Sequence, residues 1–363
     1  EGLKDMLYRE TGQFKATYES DQAIFPIAQD RWVVLGVLVV AFGVVPWLIN
    51  DYWSNAVMLP FLAYGLAALG LNLLTGYCGQ VSLGTGGFLA VGAYATFKLV
   101  TLFPEMNFIL VVLLSGCITA AVGAVFGLPS FRIKGFYLAV ATLAAQFFLG
   151  WLFNKVGWFY NDNPTGQITM RPVEVFGVLV TGAHATPAAQ YLFCLTFVVI
   201  FAFLAKNIVR GRTGREWMAI RDMDIAAELI GIRPLRAKLL AFAVSSFYIG
   251  VAGSLYFSVW LGAAEPLEAF GIDQSFLVLF MIIIGGLGSI LGSFLGAAFI
   301  TLMPIFLKNT LVGGMGLESV TAKHIETSLL GVLIVFFLIV EPLGFARMWQ
   351  IMKEKLRMWP FPY

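Results

Sequence analysis

Charge is scarce in this chain. Lys, Arg, Asp and Glu together supply 12% of its 363 residues, about half the share of an ordinary soluble domain. That shortage excludes a solvated globular protein, and no basic face with interleaved aromatics exists to track nucleic acid. Histidine is scarcer still: His184 and His324 stand alone, without a second ligand at metal spacing, whereas a zinc centre needs about four such groups. No metal site is expected. Cys78, Cys117 and Cys194 are the only cysteines and lie far apart, so they read as small hydrophobes rather than disulfide partners or metal ligands. The apolar runs contain no carboxylate pair and no His–Asp relay, groups on which proton-coupled carriers often depend. No G-x-x-x-x-G-K-S/T phosphate loop occurs, so ATP hydrolysis is not expected of this chain itself. Nothing resembling a catalytic triad stands out either, which argues against a membrane enzyme. The first thirty residues lack the basic start and apolar core of a secretory signal.

Apolar sequence is what the chain has in abundance. Hydrophobic residues make up 59%, with 33 Phe, 38 Gly and a mean hydropathy of +0.85, the balance of a polytopic membrane protein. The apolar runs are continuous rather than alternating, so they predict helices, not barrel strands. Ten spans are predicted, at residues 32–49, 56–74, 84–101, 108–128, 135–153, 188–206, 238–260, 274–288, 290–307 and 326–341. The last three are short against the roughly 20 residues a crossing needs, which allows breaks or partial crossings there. The fold class is therefore an all-α integral membrane protein, with residues 1–31 and 342–363 as tails around a 32–341 membrane domain.

Basic residues orient it. With the N-terminus inside, 18 of the 23 Lys and Arg residues fall on the inner side, the bias that retains loops in the cytoplasm. Both termini are then cytoplasmic. The outer connection, 154–187, is rich in Pro, Gly and Asn and reads as a loop. The inner one, 207–237, concentrates Arg210, Arg212, Arg215 and Arg221 with Glu216, Asp222, Asp224 and Glu228. Thr213 and Glu216 are spaced as a capping box, Asp224 can cap a second turn through Glu228, and Gly231 and Pro234 stop it. Two short helices are expected at the membrane surface. Their charged and apolar residues are interleaved, which suits docking on another protein better than lying on lipid; a passive, merely topogenic loop is the alternative.

Two glycine-rich segments remain. In "GYCGQVSLGTGGFLAVGAY", residues 76–94, the polar Gln80, Ser82 and Thr85 sit where a lipid-facing helix should be apolar. Either this is a helix start folded back to line a solute route, or it is an inner turn followed by a tightly packed helix. In "MIIIGGLGSILGSFLGAAFI", residues 281–300, Gly288, Gly292 and Gly296 are spaced by four and are expected on one packing face, with a break at Gly285-Gly286. One such segment in each half hints at an inverted repeat with broken helices. Asn72, Gln146 and Ser245-Ser246 are polar positions inside spans, expected to hydrogen-bond between helices.

Three stretches in order, "LNLLTGYCGQVSLGTGGFLAVGAY", "TGREWMAIRDMDIAAELIGI" with "KLLAFAVSSFYIGVAGSLY", and "IIIGGLGSILGSFLGAAF", resemble the M-type permease subunits of branched-chain amino acid ABC importers. The resemblance covers roughly residues 56–345 and extends to relatives that import urea and other small solutes. It implies an inner-membrane permease, not itself an enzyme, working with a homologous second permease, two ATP-binding cassette ATPases that hold ATP and Mg, and a periplasmic solute-binding protein. Membrane lipid is the other partner. It places Glu216, Arg221, Ala226, Ala227, Glu228 and Gly231 in a loop that rests in a cleft of the ATPase. The solute implied is an amino acid, with urea or a short amide as the alternative. Relatives commonly carry histidine after Ser-Leu-Gly, where this chain has Thr85. A secondary carrier or channel independent of ATP is the rival reading, in which the charged loop serves only for orientation.

Overall fold

A computed structural model describes residue 17 and residues 28–128, 136–182, 184–314, 319–340 and 344–358. Nine helices among the described residues are long and apolar enough to cross a membrane. They are α1 (Arg31–Leu48), α2 (Asp51–Tyr77), α3 (Thr85–Leu102), α4 (Phe108–Gly127), α5 (Tyr137–Lys155), α6 (Pro187–Arg210), α8 (Pro234–Leu261), α9 (Pro266–Gly285) and α10 (Ile290–Gly313). Between α6 and α8 lies α7 (Arg212–Leu229), and α11 (Ser319–Val340) and α12 (Gly344–Met358) follow α10. The tenth predicted span, 326–341, falls within α11 apart from residue 341, which lies outside the described residues, and α11 is not among the nine. The chain is an all-α, multi-pass membrane protein.

Small residues decide the packing. Helix α8 lies at the centre, against α4, α3 and α2. A Cβ at Gly116 would fall 2.7 Å from Val251 Cγ2, one at Gly127 would fall 2.8 Å from Phe242 Cβ, and one at Gly92 would overlap the Gly250 carbonyl. Bare glycine is what lets these helices approach so closely, where lipid tails as apolar as leucine provide no hydrophobic drive. The opposite faces are oily: Val125, Phe147, Trp151, Ile200 and Leu302 are exposed. That is the surface a bilayer would cover.

The eighth and ninth spans are longer than expected, at 20 and 24 residues. The eighth is not continuous: a turn at Pro266–Ala269 precedes a regular helix of 14 residues, Ile272–Gly285. Fourteen residues rise only about 21 Å, short of a hydrocarbon core of about 30 Å. A broken helix was expected here, and the break after Gly285 is present, with Gly286 at φ 119° and Gly288 at φ 74°. Helix α10 starts only at Ile290, so Gly288 lies in the turn and not on a helix face, contrary to the expected spacing. Gly292 and Gly296 do form a packing seam. A Cβ on Gly292 would sit 2.6 Å from the Gly285 carbonyl oxygen, and one on Gly296 would overlap that of Met281.

The segments assigned to one side by charge meet at one end. Arg221 touches Gly76, and Gly76 touches Gly288. At the other end Arg171 donates to the Pro104 carbonyl (2.7 Å). The outer connection is also more ordered than a plain loop. Its Ile168–Thr169 strand pairs antiparallel with Ala263–Ala264, and Glu174–Val175 pairs with Val178–Leu179 in a hairpin. Single backbone pairings of this length carry no amphipathic period, so the sequence gives no sign of them. The C-terminal segment folds as α12, where Phe345 packs on Phe299 of α10 and Phe337 of α11.

Candidate functional site: the inner junction and its surface helix

The expected two surface helices are present as one kinked element. Within α7, Met223 has φ −160° and ψ 99°, which cuts the helical ladder and leaves two short helical halves. The anticipated capping box does not form. Gly211 is the N-cap residue and makes no side-chain cap, while Glu216 accepts from Arg212 Nε (2.9 Å) one turn earlier. Helix α7 thus begins ahead of Thr213, which puts both box residues inside it. The C-terminal stop is as expected: Gly231 has φ 91°. Its N–H donates to the Glu228 carbonyl and that of Ile232 to Ala227, the paired bonds of a Schellman turn, in which glycine takes the left-handed position without a Cβ penalty.

Trp217 fastens this element to the membrane domain. Its side chain is fully buried and its indole N–H donates to the Ala237 carbonyl (3.0 Å). Ile220 and Ala227 are buried beside it, and Lys238 Nζ lies 3.7 Å from Asp224 Oδ2. The remaining side chains face away: Ala226 is half-buried and Glu228 is exposed. Met223, Ile225, Leu229 and Ile230 form an exposed apolar ridge beside Glu228.

Arg221 is exposed along part of its side chain, but its guanidinium reaches inward. Its Nη1 donates to the Gly76 carbonyl (3.0 Å) and its Nε to Asp222 (3.0 Å). The backbone it reaches, Leu73–Tyr77, closes α2 as a π-helical turn, one of five such turns among the described residues. From there a chain of bonds runs to the second break. Asn72, fully buried, accepts from the Gly288 N–H (2.9 Å) and donates from Nδ2 to Ser289 O and Ser293 Oγ (2.8 Å each). The surface helix and both glycine-rich breaks are therefore one hydrogen-bonded unit. Sequence spacing marks Asn72 as polar within a span but not what it binds. Cys78, next to this unit, is buried, and burial pushes its thiol up to about 12 despite the nearby Lys238.

The other polar positions gather at the start of α3. Ser82, Gly84 and Thr85 are buried and Gln80 half-buried, while Gly79 and Val81 are exposed, so the irregular backbone of 79–84 is packed inside the protein on one side only. The Gly86 N–H donates to Ser275 Oγ (2.8 Å) and the Gly87 N–H to Gln146 Oε1. Gln146 also accepts from Ser275 Oγ (3.0 Å) and donates to the Phe270 carbonyl (2.8 Å). The Leu83 N–H donates to Thr142 (2.9 Å). The first donors of α3 are thus satisfied by other helices, as buried helix ends require. The Thr85 hydroxyl is buried and makes no hydrogen bond among the described residues. Asn72 and Gln146 bear out the expectation of bonds between helices, whereas the buried Ser245 hydroxyl makes none among the described residues.

The family described as "Branched-chain amino acid transport system / permease component" matches residues 55–339. The chain is 33% identical over 248 residues to the high-affinity branched-chain amino acid transport system permease protein LivM of Salmonella typhimurium, covering 63% of this chain and 57% of that one. It is 32% identical over 275 residues to LivM of Escherichia coli, covering 71% and 63%. The ribose import permease protein RbsC of Haemophilus influenzae is 24% identical over 298 residues, covering 79% and 86%. The chain spans 57% and 63% of the length of the two LivM relatives. No solved structure matches it.

Proposed function

The chain belongs to the branched-chain amino acid transport permease family, and from that premise we propose that it is the membrane-spanning permease subunit of an ABC importer that carries a branched-chain or other amino acid across the bacterial inner membrane. ATP hydrolysis belongs to two partner ATPase subunits, a second homologous permease completes the pathway, and a periplasmic binding protein delivers the solute. The observation that carries this reading is the construction of α7. One face is anchored by buried Trp217, Ile220 and Ala227. The other presents Glu228 between exposed Ile225, Leu229 and Ile230, an apolar ridge with a charge, which suits a groove on another protein. A purely topogenic loop needs neither.

In this mechanism the ATPases close on nucleotide and displace the ridge. The displacement reaches the α2 end through Arg221 on the Gly76 carbonyl, and the second break through Asn72. Both breaks then shift together, and the route changes the side to which it opens. Gln80, Ser82 and Thr85 are the residues we assign to that route.

The test is a tagged purification from native membranes, with the partners identified by mass spectrometry. Glu228→Ala with Leu229→Ala removes two exposed side chains, so membrane insertion and folding should be unchanged while ATPase recovery and uptake are lost. Normal ATPase recovery with this pair would overturn the docking assignment. Solute uptake by the chain alone in ATP-free vesicles would overturn the importer reading as a whole.

A further inference from the structure

Beside the buried anchor of α7 lies a cleft of about 690 Å³ whose walls come from the start of α7 and the turn into α8. Arg212 and Arg215 line it from one side, Arg233 and Arg236 from the other, and Glu216 is its only acid. Glu216 is already matched by Arg212 at 2.9 Å. Among the described residues no ion pair engages Arg215, Arg233 or Arg236. Like charges brought together on two facing walls repel, and an anion between them removes that cost. Guanidinium groups match phosphate oxygens in a two-pronged geometry that lysine lacks.

The position of the cleft selects the source of the phosphate. Helix α6 has 24 residues and rises about 36 Å, several ångström beyond a hydrocarbon core of about 30 Å. Its end at Arg210, the following Arg212, and Arg236 in the first turn of α8 therefore lie at headgroup level. Basic pockets between helix ends on the cytoplasmic side hold anionic headgroups. Leu235, next to Arg236 at the start of α8, is exposed and offers an acyl chain apolar contact beside the cleft. We propose that this arginine cleft is a binding site for a phosphate-bearing anion, supplied by the headgroup of an anionic phospholipid. The cleft adjoins the ridge, sharing Ile230 with it, but its test needs this chain alone, so it stands whether or not the importer reading does.

The purified full chain in neutral detergent is titrated with short-chain phosphatidylglycerol, phosphatidylcholine and inorganic phosphate, with bound molecules counted by native mass spectrometry. The wild type binds phosphatidylglycerol and discriminates against phosphatidylcholine. Arg215→Gln with Arg236→Gln weakens phosphatidylglycerol by about thirtyfold, from roughly fivefold per arginine, while Arg347→Gln, distant on α12, leaves it unchanged. Arg215→Lys with Arg236→Lys keeps the charge and gives an intermediate affinity, which separates recognition from any loss of folding. Millimolar inorganic phosphate that displaces the lipid identifies the phosphate group as the part recognised; inorganic phosphate that binds when the lipid does not overturns the lipid source. The proposal is also overturned if the Gln pair binds phosphatidylglycerol as tightly as wild type, or if neither lipid nor phosphate binds and the arginines become protected only when an ATPase partner is added.

Discussion

Asn72→Ala tests the junction most directly, and its cost can be worked out bond by bond. The side chain is fully buried and makes three bonds of 2.8–2.9 Å across the break at 286–289. Two of its partners have substitutes: Ser289 O also accepts from the Ser293 N–H (3.1 Å) and hydroxyl (3.3 Å), so neither that carbonyl nor the Ser293 hydroxyl is orphaned. The Gly288 N–H has no such replacement. Leaving the half-buried Gly288 N–H unpaired costs up to about 1–3 kcal/mol, and the two replaced bonds about 0.5–1.5 kcal/mol each. The sum is about 2–6 kcal/mol. Ser293→Ala removes one of the replaceable bonds and should cost about 1 kcal/mol. Cys78 and Cys194 are buried and Cys117 exposed, so a thiol-reactive dye in a Cys117→Ser background reports unfolding as the two buried thiols emerge. On that readout Asn72→Ala should lower the Tm by about 5 °C or more, and Ser293→Ala by clearly less. A shift below about 1 °C for Asn72→Ala, or one no larger than that of Ser293→Ala, would refute the account of the junction.

Two further outcomes follow from the same geometry. Trp217→Ala removes the buried anchor of α7 and its bond to Ala237, at about 3–5 kcal/mol; hydrogen exchange across 212–229 should accelerate while α3 and α4 stay protected, and unchanged exchange would show that α7 is held by other contacts. The Cys78 thiol is raised by burial from 9.0 to about 12, so the folded chain favours the protonated form. That contribution is complete below pH 9 and is lost as pH rises from 9 toward 12, and alkylation of Cys78 at pH 8 should be negligible until the protein unfolds. Rapid labelling at pH 8 in the folded state would contradict its burial.

What the sequence makes legible here is local. Continuous apolar runs give the spans, and Gly285-Gly286 and Gly231 give two of the stops, because each depends on a period or a backbone conformation within a few residues. What depends on a distant neighbour is not legible. Arg221 looks like any surface arginine until the π-turn of α2 brings the Gly76 carbonyl beneath it. Thr213 and Glu216 carry the spacing of a capping box, yet α7 begins at Arg212, ahead of both, and Arg212 takes the glutamate. Gly288 shares a four-residue interval with Gly292 and Gly296, but the positive φ of Gly286 and Gly288 ends the helical phase before α10 resumes. The contacts within the candidate site differ from those the spacing suggests. Glu228, Ala227 and Gly231 have the exposure or conformation the motif implies, while Asn72 and Trp217, which tie that place to the core, stand out only as a polar residue in an apolar run and a large aromatic in a charged one.

The strand-like backbone at Met223 has a mechanical meaning. An unbroken helix transmits a push along its axis and resists bending because every turn is bonded to the next. Where the ladder is already interrupted, a change of angle costs only the rotation of two torsions. The half of α7 before Met223 is pinned by Trp217 and Arg221, and the half after it carries Leu229 and Glu228. Between them lies a joint: the extended backbone at Met223 sets the two halves at an angle a continuous helix could not take, while Ala227 and the Asp224–Lys238 pair seat the second half on the core as well.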